Sequence, residues 1–143
     1  MQISKVLILL CVVALSCTHK ADEKGFVVKG KLQPRTGKMI YLEKVPAALT
    51  QPSVEDSSVI GADGSFRLKA AAGEAVIFNL RIDQSRYPLL SLVNDTTQVE
   101  LDIRMRPDDS QFPENYTVTG SRGSQELKDF VTGFNNRLIE IHG

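Results

Sequence analysis

The sequence predicts a mainly β protein: an antiparallel β-sandwich or small barrel of about seven to eight strands, followed by one C-terminal amphipathic α-helix. From Phe26 onward, short apolar runs alternate with polar residues at period two, and turn residues separate the runs. After residue 124 the apolar spacing becomes helical. The chain has 143 residues and is 42% hydrophobic, which suits one modest globular core.

The first predicted strand covers residues 26–32 and ends at the turn residues 34–37. Gly30 lies in mid-strand, which predicts a bulge or a close approach of another group. The next strand, Met39–Val45, alternates apolar and polar side chains. We expect it to return as the hairpin partner of the first strand.

A second hairpin is predicted around Asp63 and Gly64. Residues 56–60 lead into this dipeptide, and residues 65–69 follow it with alternating polarity. Because Asp-Gly supplies the positive φ values that tight turns need, this is the strongest hairpin signal in the chain.

Four further strands are predicted before the helix, at residues 74–83, 87–93, 98–106 and 115–120. The segment 87–93 is almost continuously apolar, so we expect a central strand there. In the last strand, alternation places Tyr116 and Val118 on the core side.

The helix is predicted from an apolar stripe with helical spacing. The stripe consists of Leu127, Phe130, Val131, Phe134, Leu138 and Ile141. Ser124 is the expected N-cap, with Gln125 and Glu126 in the first turn. Such a stripe must pack on the sandwich or on a following element. We expect residues 121–143 to begin a connector to a further domain, which would make this chain a fragment.

The N-terminus predicts a cleaved leader. Lys5 precedes an unbroken apolar run of ten residues, 6–15, which has the length of a signal-peptide core and is too short to span a bilayer. The segment Ala14-Leu15-Ser16-Cys17 resembles a bacterial lipobox. We therefore expect cleavage between Ser16 and Cys17, although an ordinary secretory signal with an incidental cysteine is the alternative.

Lipid on the Cys17 thiol would hold the protein on a membrane. The expected organisation is a signal peptide at residues 1–16, a lipidated cysteine and flexible tether at 17–25, a sandwich domain at 26–120 and the helix at 121–143. The expected location is the cell envelope, facing the periplasm, with exposure on the cell surface left open.

No catalytic, metal or cofactor site is predicted. The only cysteines, Cys11 and Cys17, lie in the first seventeen residues, so the body has no Cys-x-x-Cys pair. His19 and His142 lie at opposite ends of the chain without ligand-spaced neighbours. The chain balances 17 basic against 17 acidic residues, which argues against a nucleic-acid-binding surface.

Two clusters of acidic residues resemble sites only superficially. Glu100 and Asp102 lie two apart on one strand face, which favours solvent exposure over a glycosidase-like pair because arginines continue the row. Asp108, Asp109 and Glu114 lack the ladder spacing of a calcium loop, so a plain loop is expected.

Several segments together resemble a known family. They are Gly25-Phe26-Val27-Val28-Lys29-Gly30, Met39-Ile40-Tyr41-Leu42, Asp56-Ser57-Ser58-Val59, Asp63-Gly64-Ser65-Phe66, and Val118-Thr119-Gly120-Ser121 ahead of the helix. Their order is similar to the N-terminal accessory domain (domain of unknown function 4369) of Bacteroidota thiol-disulfide interchange lipoproteins. The resemblance implies a β-rich module after a lipoprotein signal, usually followed by a helical connector and a thioredoxin-like domain with a Cys-x-x-Cys site.

The resemblance does not carry oxidoreductase activity to this chain, because the chain contains no Cys-x-x-Cys. We expect a non-catalytic, lipid-anchored accessory domain that positions or pairs with a thioredoxin-like partner. The expected contact is the helix face of Leu127, Phe130, Val131, Phe134 and Leu138. The alternative is a stand-alone envelope lipoprotein that binds glycan or peptide through an edge strand or through the loops at residues 46–52 and 107–114.

Overall fold

The computed structural model describes residues 25–48, 51–71, 73–83, 85–108 and 111–142. These residues form eight strands and one helix. In chain order they are β1 (Gly25–Gln33), β2 (Met39–Val45), β3 (Ser53–Val59), β4 (Ser65–Ala71), β5 (Ile77–Ile82), β6 (Leu90–Val93), β7 (Gln98–Met105), β8 (Pro113–Thr119) and α1 (Arg122–His142). The described helix is not long and apolar enough to cross a membrane. The predicted leader, Cys17 and His19 lie outside the described residues.

The strands form two four-stranded sheets packed face to face, so the described fold is a sandwich and not a closed barrel. Sheet A has the order β4-β1-β7-β8, and sheet B has the order β3-β2-β5-β6. Five of the six strand pairs are antiparallel, and β1 pairs with β7 in parallel. The sandwich prediction is therefore confirmed, with one parallel pair in sheet A.

The predicted hairpin of β1 with β2 is wrong. β1 pairs with β4 and β7 in sheet A, whereas β2 pairs with β3 and β5 in sheet B. The connection between them crosses from one sheet to the other. Both strands have one apolar face, and placing them in opposite sheets buries both faces in the same core. Alternation shows which face of a strand is buried, but not which strand lies beside it.

The turn at Asp63 and Gly64 is present, but the hairpin predicted from it is wrong as well. Gly64 has φ of 84°, and its amide donates to the Gly61 carbonyl at 3.0 Å. The flanking strands β3 and β4 lie in different sheets. A Cβ at Gly64 would lie 2.1 Å from the Leu32 carbonyl oxygen. The glycine therefore serves a turn between sheets that packs tightly on the end of β1.

The core lies between the sheets, and the predicted alternation is confirmed in β1, β2, β5 and β7. The Phe26 and Phe78 rings meet across it with centroids 5.4 Å apart. A Cβ at Gly30 would lie 2.4 Å from the Phe66 ring, so the predicted close approach is an aromatic side chain. Tyr116 and Val118 pack against the core from β8, as predicted. The largest fully buried side chains are Phe26, Phe78, Leu32, Ile40, Leu42, Ile60, Leu68, Leu80, Leu92, Ile103, Met105 and Val28.

The prediction of a central strand at residues 87–93 is wrong. Only Leu90–Val93 forms a strand, and it is the edge of sheet B. Leu89 is buried just before the strand begins, whereas Tyr87 is 51% exposed. The apolar run is continuous because it serves the core and also lies beside α1, which contacts this edge.

Candidate docking site

The helix is attached to the sandwich by a compact polar cluster at its N-terminus. The Ser124 hydroxyl accepts the Val93 amide at 2.9 Å and donates to the Val93 carbonyl at 3.1 Å. The Ser121 hydroxyl donates to the Asp95 carboxylate at 2.5 Å. Ser121 and Ser124 are both buried. These bonds satisfy the last residue of the edge strand β6 and fix the start of α1 to it.

Ser121, and not the predicted Ser124, is the N-cap. The helix begins at Arg122, and the Ser121 hydroxyl accepts the amide of Ser124 at 3.0 Å. The Asp95 carboxylate accepts a second free amide, that of Gly123, at 2.6 Å. Gln125 and Glu126 therefore lie later in the helix than the first turn predicted for them, and the first turn contains no acidic residue. Asp95, which is distant in sequence, supplies the negative charge that suits a helix N-terminus.

The same cluster controls the ionisation of Asp95. Partial burial of the carboxyl opposes its ionisation, but hydrogen bonds from the Ser121 hydroxyl and the Gly123 amide outweigh that effect. The pKa of Asp95 is therefore lowered from its ordinary value. The carboxylate that receives the helix is negatively charged at neutral pH.

Beyond Lys128 the helix leaves the surface of the sandwich. Every side chain from Asp129 to Ile141 is exposed, including the large apolar residues that a folded monomer would normally bury. Their exposed fractions are 71% for Phe130, 44% for Val131, 54% for Phe134, 42% for Leu138, 70% for Ile139 and 73% for Ile141. The helix is held at one end, and the described residues leave its apolar surface largely in water.

A cleft of about 860 Å³ lies between this helix and the sandwich. Its sandwich wall comes from the start of β6 and from β8, and its other wall is α1. The apolar residues that line it are Pro88, Leu89, Leu90, Phe112, Pro113, Tyr116, Leu127, Val131, Leu138 and Ile139. We call this space the cleft. Its size and mixed lining are those of sites that bind ligands or protein segments.

The edge of β8 along the cleft is already protected. The Tyr116 amide donates to the Asn115 side chain at 2.8 Å, and Lys128 donates to the Tyr116 carbonyl at 2.5 Å. The Lys128 ammonium also lies 5.0 Å from the centre of the Tyr116 ring. Burial raises the pKa of the Tyr116 phenol, and the charge of Asp129 adds to this effect. Because both backbone groups of Tyr116 are satisfied, an added strand would have to displace these bonds.

An exposed aromatic pair lies at the loop end of the cleft. Phe112 lines the cleft, and the centroid of its ring is 6.0 Å from that of Tyr87. Arg106 and Glu114 contribute charged groups to the same lining. Of the two loops considered for ligand binding, residues 107–114 therefore contribute to the cleft. None of the described residues of 46–52 does so.

The helix face predicted for a partner is divided by the structure. Leu127, Val131 and Leu138 line the cleft. Phe130 and Phe134 do not, and they stack on each other with ring centroids 6.5 Å apart. Helical spacing places Ile141 on the same side as these two rings. We call the surface formed by Phe130, Phe134 and Ile141 the ridge. It runs beside the cleft on the outer side of α1.

The other candidate residues stay apart. Glu100 and Asp102 are exposed on the outer face of sheet A, as predicted. Cys17, Ser16 and Asp109 lie outside the described residues. His142 ends the helix. Among the described residues, no group of three or more His, Cys, Asp or Glu side chains could hold a metal ion.

Sequence reasoning missed Asp95, Ile139 and Lys128. Asp95 follows Asn94 in a segment whose sequence predicts only a turn, and its role in holding α1 depends on a contact 28 residues away. Ile139 lies outside the apolar stripe, but it lines the cleft. Ser121 itself was a usable signal. A serine directly before a helix commonly accepts the amide three residues later, and in this chain that amide belongs to Ser124.

Comparison with curated proteins gives no match to the chain. The family model described as domain of unknown function (DUF4369) matches residues 26–127, from β1 to the first turns of α1. The match covers all eight strands and the polar cluster that receives the helix. On this evidence the chain belongs to the domain of unknown function 4369 family.

Proposed function

We propose that this protein is a non-catalytic module of the bacterial cell envelope, held on a membrane by lipid on Cys17, that binds a thioredoxin-like thiol-disulfide oxidoreductase in the cleft. The observation that carries the proposal is the way in which α1 is attached to the sandwich at one end only. The helix is fixed to the sandwich at Ser121 and Ser124, and it then extends over a cleft that it lines with apolar side chains.

Two physical arguments support a protein partner in the cleft. A helix segment without tertiary packing is only marginally stable in water at this length, so the segment after Lys128 gains from a partner that buries it. Apolar surface next to a polar rim is typical of protein interaction sites. Lys128 and Arg106 supply cationic groups beside the apolar lining of Val131 and Leu138.

The thioredoxin-like identity of the partner rests on the sequence resemblance alone. Accessory domains of this type usually precede a thioredoxin-like domain, as the resemblance implies. The lipid anchor is supported by the segment Ala14-Leu15-Ser16-Cys17, which places a cysteine directly after a small residue and an apolar run.

The anchor is tested by mass spectrometry of the exported protein. We expect the mature chain to begin at Cys17 and to carry acyl groups on it. Cys17→Ser should release the protein from the membrane fraction, whereas the matched variant Cys11→Ser should remain in it. A mature chain that begins elsewhere, or an unmodified Cys17, would contradict the anchor.

Partner binding is tested by calorimetric titration of the mature chain with a purified thioredoxin-like oxidoreductase from the same envelope. Val131→Asp and Leu138→Asp should weaken binding at least tenfold, because each places a charge in the apolar lining of the cleft. Thr117→Asp, on the exposed face of β8, is the matched control. Equal binding by all three variants would exclude the cleft as the docking site.

The absence of catalysis is tested separately. The mature chain with its thiols blocked should not reduce the disulfides of insulin by itself. In the presence of dithiothreitol, it should not raise the rate of insulin reduction above that of dithiothreitol alone. Reduction of insulin by the blocked chain would show that the module is itself an oxidoreductase.

The exposed pair of Tyr87 and Phe112 favours a second candidate, a stand-alone lipoprotein that binds peptide or glycan. Aromatic faces beside an open cleft can stack on a ligand, and Arg106 could pair with an anionic group on it. A peptide and glycan array probed with the mature chain tests this function. A specific ligand whose binding is lost in Phe112→Ala would favour it over the accessory module, and an empty array would exclude it.

A further inference from the structure

We propose that the ridge is a self-association surface, on which two copies of the chain pair their α1 helices in antiparallel orientation. The ridge lies on the outer side of α1, so a second copy could bind there while the cleft holds another molecule. The inference does not depend on the proposed function.

The ridge is too apolar to be an ordinary solvated helix surface. Phe130 and Ile141 are each more than 70% exposed, and Phe134 is 54% exposed. The Phe130 and Phe134 rings already stack on each other and form one continuous surface. Scattered apolar residues on a surface need no explanation, but three large ones in a row along a free helix do.

The spacing along α1 is symmetric about Thr132. Phe130 lies two residues before it and Phe134 two residues after it. Two antiparallel helices related by a two-fold axis that crosses the ridge at the height of Thr132 would therefore place Phe130 of each copy against Phe134 of the other. The same axis brings Leu127 opposite Leu138 on the side of the ridge nearest the cleft, because these residues lie five before and six after Thr132.

Charge distribution selects the antiparallel orientation over the parallel one. Helical spacing places Glu126 and Arg137 on the same flank of the ridge, six residues before and five residues after Thr132. Antiparallel pairing sets Glu126 of one copy beside Arg137 of the other, twice. Parallel pairing would instead set this flank beside the other flank of the second copy, which carries Leu127 and Leu138, and would leave both charges unpaired.

Both charged groups are available for this contact. Arg137 forms no ion pair with any other described residue of its own chain. Glu126 pairs with Arg122 at 2.8 Å, but both side chains are largely exposed, at 64% and 89%. Arg137 of the second copy can join that pair without displacing it. Antiparallel packing also opposes the two helix dipoles favourably.

The test is disulfide cross-linking of the full chain in the cells that produce it, with cysteines at both Glu126 and Arg137. In one helix these positions are about 16 Å apart, too far to bridge. In the antiparallel pair they face each other across the interface. We expect the double variant Glu126→Cys/Arg137→Cys to shift to twice the monomer mass on mild oxidation with copper phenanthroline. The wild-type chain, treated identically, gives the background.

The controls separate specific pairing from chance collision. Glu126→Cys alone and Arg137→Cys alone should stay at background, because two-fold symmetry sets identical positions about 15–18 Å apart along the helix axis. Glu126→Cys/Asn136→Cys moves one thiol to the opposite side of α1 and should stay at background too. Adding Phe134→Asp to the double variant should abolish the dimer band.

Three outcomes would overturn the proposal. They are a double variant that stays at background, a single Glu126→Cys variant that cross-links equally well, and a dimer band that survives Phe134→Asp. All the substituted positions are exposed, so the fold should be retained, and the urea midpoint of each reduced variant checks this. Loss of partner binding would leave these outcomes unchanged, because no partner takes part in the assay.

Discussion

The sandwich and the projecting part of the helix contain similar apolar residues but place them in opposite environments. In the sandwich, side chains such as Leu80, Leu92 and Ile103 are fully buried. In α1 after Lys128, Phe130 and Ile141 are more than 70% exposed. The sandwich therefore supplies its own core, whereas the helix has the sequence of a packed element without the packing. Stability and interaction should be separable in this protein.

The sharpest test of that separation compares two phenylalanines. Phe78→Ala should lower the free energy of unfolding by about 3–5 kcal/mol, because it leaves a cavity opposite Phe26 in a dense core. Phe130→Ala should change it by less than about 0.5 kcal/mol, because that ring is exposed. Urea unfolding followed by circular dichroism measures both. Similar losses for the two variants would mean that α1 is part of the cooperative core.

A second comparison concerns the turn between the sheets. Gly64→Ala should cost about 2 kcal/mol or more, because Gly64 has a positive φ and an added Cβ would meet the Leu32 carbonyl. Gly73→Ala is the matched control, since an added Cβ there meets no atom within 4 Å. Thermal unfolding of both variants gives the difference. A Gly64→Ala protein as stable as the control would show that the turn tolerates another geometry.

The attachment of the helix should depend on pH. The pKa of Asp95 is lower in the folded protein than in the unfolded chain, so ionisation of its carboxyl stabilises the folded state. This stability is fully present above the unfolded pKa of about 3.9. It is lost as the pH falls through the folded pKa. Asp95→Asn should cost about 1 kcal/mol at pH 7, as for a lost helix cap. Unfolding measured at pH 7 and pH 3 should show a smaller pH effect in this variant than in the wild type.

The matched control for Asp95→Asn is Asp102→Asn, on the exposed face of β7. It should leave the free energy of unfolding at pH 7 unchanged. If both variants behave alike, the carboxylate of Asp95 does not hold the helix.

The smallest expected effect on stability concerns the exposed part of the helix. Gly133 lies in the exposed part of α1, and an added Cβ there meets no atom within 4 Å. Gly133→Ala should favour the helix by up to about 1 kcal/mol locally. The ellipticity at 222 nm should become more negative while the urea midpoint of the sandwich stays the same. A shift of that midpoint would show that the two regions unfold together.

Much of the local structure could be predicted because it depends on the period of the apolar pattern. Period two identified the buried faces of β1, β2, β5 and β7, and helical spacing identified α1. The turn at Gly64 followed from the conformational freedom of glycine. Both hairpin predictions failed, because a connection of a few residues can join neighbours in one sheet or cross to the opposite sheet.

The candidate docking site was less predictable than the fold. The sequence identified Leu127, Val131 and Leu138, but their division from Phe130 and Phe134 depends on where the sandwich lies relative to the helix. Asp95 and Ser121 act together although they are 26 residues apart. Nothing local to Asp95 distinguishes a helix-holding carboxylate from a turn residue.

The sequence by itself determined which side chains avoid water and with what period, since burial of apolar surface acts on each residue whatever its neighbours are. Tertiary structure alone decided which strands pair, which strand is an edge and which side of α1 lines the cleft. These choices depend on contacts between residues far apart in the chain. Their free energy belongs to the assembled sheets and not to any one segment.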